Sequence, residues 1–149
     1  MTAPSEPTAW AWSSTRRRMS ATVESMKFAG VQVGFAPAIP ICADESVHVA
    51  ADLDAVARRY QAVNVKLDKA GGLTAALQLA RAARARGLAL MTGCMVSSSL
   101  SIAPALHVAG FSDFVDLDGP FWLREDWEGG VRNEDGLLVP PARGFWGSG

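Results

Sequence analysis

Two cysteines in 149 residues are too few to staple a chain of this length, so a disulfide framework is excluded and a reducing, cytoplasmic setting is expected. Charge of one sign is missing too: 14 Lys and Arg stand against 15 Asp and Glu, for a net charge of −1. That balance gives neither a nucleic acid nor an anionic membrane an electrostatic foothold, and neither is an expected partner. No uninterrupted apolar run reaches the about 18 residues of a membrane helix. Histidine is limited to His48 and His107, with no second ligand at helical spacing beside either, so ordinary surface or core roles are expected for both. What is plentiful is apolar material, 49% of the residues, enough for a sizeable core in one domain.

Arg16, Arg17 and Arg18 precede an apolar stretch from Phe28 to Ala43, the order found in a twin-arginine export signal. Glu24 and Lys27 ahead of that stretch, and Gln32, Pro37 and Pro40 within it, argue against one. Residues 1–36 show no sustained period and read as an irregular segment. From there to residue 149, short β-branched runs alternate with alanine-rich helical stretches, the signature of βαβ units and a parallel sheet. Four strands are expected, near 39–45, 62–67, 88–94 and 114–118. Between them fall three helices, near 52–60, 73–86 and 98–109, the last capped by the serines at 97–99. Beyond Pro120 a tail rich in Trp122, Trp127 and Trp146 is expected to pack over the outside of the sheet.

Parallel strands buried on both faces should be continuously apolar, and three of these are not. Asp44 arrives at the end of the first. In the second, Val63, Val65 and Leu67 alternate with Asn64, Lys66 and Asp68. In the fourth, Val115 and Leu117 alternate with Asp116 and Asp118. On a doubly wound sheet the polar face would be covered by helices, at several kcal/mol for each unpaired ion. In a closed barrel it is the interior, and its C-terminal mouth is where active sites form. Taken singly, Asp44 also suits a helix cap, Lys66 a snorkelling rim residue, and Asp116 and Asp118 a turn before Gly119-Pro120. Together, a carboxylate, a lysine and an Asp-x-Asp pair suit proton abstraction next to a carboxylate. Lys66 would be the base, Asp44 a ligand of Mg²⁺ that neutralises the developing charge, and Asp116 and Asp118 acceptors for an ammonium group. Cys42 and Cys94, on strands separated by a third, are expected as free thiols.

The runs Ala43-Asp44-Glu45-Ser46, Asn64-Val65-Lys66-Leu67-Asp68-Lys69-Ala70-Gly71-Gly72, Gly93-Cys94-Met95-Val96 and Asp116-Leu117-Asp118-Gly119-Pro120 resemble, in this order, dipeptide epimerases of the L-Ala-D/L-Glu type in the enolase superfamily. The resemblance implies an enolase-type C-terminal barrel over residues 37–149, as the C-terminal half of a TIM-like (β/α) barrel. It implies Asp44 as one of three Mg²⁺ ligands and Lys66 as one of two opposed acid/base lysines in a 1,1-proton transfer. Asp116 and Asp118 would bind the α-ammonium of a dipeptide, with Cys94 and Met95 beside the substrate. An N-acylamino-acid racemase or muconate-cycloisomerase-like activity, and a non-catalytic fragment, remain alternatives; a homo-oligomer is compatible with each. A (β/α)₈ barrel takes about 250 residues, so this chain reads as about half of one, missing the second lysine and two metal ligands, and is expected to be nearly inert alone.

Overall fold

The computed structural model describes Thr22, Val23, Ala38 and residues 40–146. The arginine run, Glu6, Glu24, Trp10, Trp12, most of the apolar stretch before Pro40, and Ile39 lie outside the described residues.

Five parallel strands form one sheet in sequential order: β1 (Thr22–Val23), β2 (Ile41–Ala43), β3 (Ala62–Lys66), β4 (Ala89–Gly93) and β5 (Phe114–Asp116). Four of them are those expected from the alternating pattern, β2 and β4 shortened at both ends, β3 and β5 at the C-terminal end only. The fifth, β1, falls inside the stretch read as irregular, where two residues pair with Ile41 and Cys42. So short a strand carries no periodic signal.

The connections are helical. A 3₁₀ turn (Ala50–Asp52) leads into α1 (Leu53–Val56), shorter than the helix expected there. Then come α2 (Leu67–Ala70), α3 (Leu73–Ala85) and α4 (Ser99–Ala109). Alanines and leucines at helical spacing let α3 lie close on the sheet. Its Ala76, Leu79, Ala80 and Ala83 join Val63, Val65 and Leu90 in the main core. Asn64 and Lys66 therefore project to the face away from α3, as the alternation requires.

Two features of the C-terminal part correct the sequence reading. The serines before α4 do not cap it: Ser98 occupies the N-cap with no side-chain bond. The carboxylate of Asp126 does so instead, accepting from the Ser99 N–H at 3.0 and 3.2 Å and from the Ser99 hydroxyl. These bonds, outweighing the opposing effect of its slight burial, hold the Asp126 carboxyl below the ordinary value. The tail docks on α4 rather than over the sheet, burying Val131 with Ile102, Ala105, Ala109 and Leu117. It ends in an antiparallel hairpin, β6 (Arg132–Glu134) and β7 (Leu137–Val139). Trp122, Trp127 and Trp146 are exposed, and so is Val115 on the edge strand, which the alternation had turned towards the helices.

Candidate functional site

The ladder registers place the polar residues in rows. Lys66 pairs with Gly93, and Gly93 with Asp116, so these three stand abreast on β3, β4 and β5. At about 4.8 Å per strand, Lys66 and Asp116 flank Gly93, whose missing side chain leaves room for the Asn64 amide to lie against it. Asp44 follows directly on β2, beside Asn64. The strand ends thus bring Asp44, Lys66 and Asp116 to one end of the sheet, with Asp118 two residues beyond.

Asp44 is the electrostatic centre. It is 5% exposed, and burying an unpaired carboxylate costs several kcal/mol. Its Oδ2 accepts from Lys66 Nζ at 3.0 Å and from Asn64 Nδ2 at 3.2 Å, and its Oδ1 from Lys69 Nζ at 2.7 Å. Burial pushes the Asp44 carboxyl up, but the bonds and charges of Lys69 and Lys66 prevail and hold it below the ordinary range. It is no helix cap, and Lys66 does not snorkel to solvent.

Lys69 was not singled out by sequence reasoning. The alternation predicts a strand through Leu67, whereas β3 stops at Lys66 and Leu67–Ala70 form the single turn α2. Gly71, at φ +87°, closes that turn in the left-handed region that suits glycine. Its N–H and that of Gly72 both return to the Leu67 carbonyl. The turn swings Asp68 off the strand face and aims Lys69 back at β2, where it bonds Asp44 and, at 2.7 Å, Glu45. Burial works to lower the Lys69 ammonium, but these two carboxylates outweigh it and raise it. The signal available was the Gly-Gly pair five residues after Lys66.

On the other side of Gly93, Asp116 and Asp118 lie near each other. What burial its carboxyl has, and then the charge of Asp118, push the Asp116 carboxyl up. One oxygen of Asp118 accepts from Trp122 Nε1 at 2.9 Å. Cys94 donates its thiol to the Asp116 carbonyl at 3.6 Å and accepts the Gly119 N–H at 3.4 Å. Burial and the charges of Asp118, Asp116 and Asp68 push this thiol up against the opposing Gly119 bond, so it is no ready nucleophile. Met95 Sδ lies 3.9 Å from Lys66 Nζ. Neither cysteine is in a disulfide, Cys42 being buried and Cys94 half-buried.

Gly119 joins β5 to the loop after β4 at a distance no larger residue permits. A Cβ there would run into the Met95 carbonyl oxygen and crowd Cys94 Sγ. Backbone cannot yield as a side chain can, so Gly119→Ala should cost about 1–3 kcal/mol, read as a lower urea midpoint at unchanged slope.

A divalent cation would find one carboxylate in place. Among the described residues no group of three or more Asp, Glu, His or Cys stands close enough to hold a metal. Asp44 is already matched by two ammonium groups, and the buried Asn64 Oδ1, without a hydrogen-bond partner, adds no charge. The described residues do not complete a Mg²⁺ site.

Comparison with known proteins gives a consistent picture. The sequence profile of the enolase C-terminal domain-like family matches residues 22–145. The L-Ala-D/L-Glu epimerase of Escherichia coli K12 is 51% identical over 100 residues, 67% of this chain and 31% of that protein. The N-acetyl-D-glutamate racemase of a Pseudoalteromonas species is 46% identical over 115 residues, 77% of this chain and 36% of that protein. An enolase family member from Agrobacterium tumefaciens, solved with sodium and L-Ala-L-Glu, superposes with a TM-score of 0.70 at 48% identity, covering 73% of this chain and 33% of that one. The dipeptide epimerase of Methylococcus capsulatus, solved with Mg, gives 0.63 at 44% identity, with 69% and 32% covered. The chain spans about a third of the length of these relatives.

Proposed function

The chain belongs to the enolase C-terminal domain-like family, and from that premise we propose that its strand ends serve the epimerisation of a dipeptide by proton transfer at the α-carbon next to a carboxylate. The observation that carries the reading is the Lys66 ammonium, held 3.0 Å from the buried Asp44 next to the adjoining strand, in one row with Gly93 and Asp116. Lys66 would move the α-proton, its Nζ kept in place by Asp44. Asp116 and Asp118 would take the α-ammonium, a cation that relieves the repulsion between them. Cys94 and Met95 would line the substrate's flank.

Mg²⁺ belongs to the proposal through the Methylococcus capsulatus structure, and Asp44 is the one ligand this segment would contribute. When bound, such a cation neutralises charge developing on the substrate carboxylate. A cytoplasmic setting is part of the same proposal. The racemase from Pseudoalteromonas favours a second reading, an N-acylated amino acid as substrate; an acylated nitrogen, however, brings no cation for Asp116 and Asp118.

Lys66 and Lys69 both approach Asp44 from the β3–α2 segment, so the described residues offer a base to one face only of a planar intermediate. Inversion needs a base on each face. Incubated with L-Ala-L-Glu and Mg²⁺ in D₂O, the 149-residue chain should therefore exchange the glutamyl α-proton slowly and accumulate little L-Ala-D-Glu, as followed by proton NMR. Exchange no faster than in buffer counts against the function; rapid inversion counts against the single face.

A further inference from the structure

Trp122 is placed where a tryptophan has little structural reason to be. It is 72% exposed, so it gains little from apolar burial. Its one directional contact is the bond from Nε1–H to Asp118 Oδ2 at 2.9 Å. That bond is built by the backbone. Gly119, wedged against the Met95 carbonyl, begins a 3₁₀ turn over Gly119–Trp122 with Pro120 in its first positions. The Phe121 N–H returns to the Asp118 carbonyl at 2.9 Å, and the turn brings the indole back over the carboxylate four residues earlier. The other oxygen of Asp118, and both of Asp116, have no hydrogen-bond partner among the described residues.

We infer that Trp122 is a positioning residue for substrate recognition: by occupying Oδ2 it fixes the Asp118 carboxylate with Oδ1 turned to share, with Asp116, the ammonium group of an incoming dipeptide. The inference rests on the ammonium reading proposed above and adds to it the residue that orients the acceptor. A carboxylate already held by one N–H donor has less rotational freedom to lose when a second donor arrives. Its selectivity is for a primary ammonium over an amide, because only the ammonium brings charge and several donors to the three open oxygens.

The test uses the full 149-residue chain and two probes, L-Ala-L-Glu and its N-acetylated form, with dissociation constants from NMR titration. Trp122→Phe keeps an aromatic ring and deletes the N–H. Melting should shift by no more than about 2 °C, as at an exposed position. Affinity for the free-amine dipeptide should fall by about 3- to 10-fold, with the N-acetylated dipeptide unaffected. An unchanged affinity for L-Ala-L-Glu, or equal losses for both probes, overturns the role of Trp122. A wild-type chain without preference for the free amine overturns the ammonium reading and this inference with it, and that outcome is visible before any variant is compared.

Discussion

Replacing Asp44 with alanine should cost the protein about 3–5 kcal/mol, the expected penalty for stranding buried charges whose partner is removed. Lys66 loses its carboxylate partner and Lys69 is left with Glu45 alone, and the side chains of Lys66 and Lys69 are only 12% and 14% exposed. In a chain of about 150 residues that corresponds to a melting temperature lower by about 10 °C. Lys69→Met should be milder, because Asp44 then keeps Lys66 and Asn64, and Lys66→Met introduced into Asp44→Ala should recover part of the loss. If Asp44→Ala proves no more harmful than Lys69→Met alone, the charge balance described for this corner is wrong. The pH dependence has a definite sign. The folded Asp44 lies below its unfolded value of 3.8, so its contribution is complete above about pH 5 and disappears as pH falls through 3.8 and below. Asp113, whose carboxylate accepts the Leu90 N–H and pairs with Arg84, each at 2.8 Å, is lowered against the effect of its burial, and with Asp126 it acts in the same direction. Melting temperature should be flat from pH 7 to 5 and fall below pH 4, more gently in Asp44→Ala than in the wild type.

Lys66→Met should reduce exchange of the dipeptide α-proton by about 10²- to 10⁴-fold, the usual cost of losing a general base. Fold and solubility should survive, since Asp44 retains Lys69 at 2.7 Å and methionine fills much of the lysine's volume. Deuterium incorporation measured side by side for the wild type, Lys66→Met and Lys69→Met separates the two lysines. Only the first variant should lose exchange down to the buffer rate while folding normally. Equal exchange in Lys66→Met and wild type would assign the proton transfer to another group.

Most of the sheet could be read before the structure because its strands carry their own signal. Val63 and Val65 alternating with Asn64 and Lys66 define a face and a register without outside help, and the row from Lys66 through Gly93 to Asp116 follows from that alternation once the strands pair. What escaped had either a competing local pattern or a distant partner. Leu67 and Asp68 continue the strand period, so α2 and the role of Lys69 were hidden. The serines before α4 satisfy a local capping rule, yet the cap comes from Asp126, 27 residues further on, which no local rule can find. The hairpin β6–β7 is different. Asp135-Gly136 between Glu134 and Leu137 is a strong turn signal, and both residues take positive φ, +51° and +83°. The turn signal is present, but its flanking strands are 3 residues each, too short for an alternation to stand out beside them.

The single turn α2 imposes a constraint of another kind, on chain length. Lys66 sits on extended backbone and Lys69 three residues later on a helix that lasts one turn, and each residue added or removed there rotates the downstream side chains by about 100°. Side chains in this stretch can be exchanged at a graded cost. A one-residue insertion or deletion between Lys66 and Gly71 would instead point Lys69 away from Asp44 altogether, so related chains that keep both lysine contacts should align through these positions without a gap.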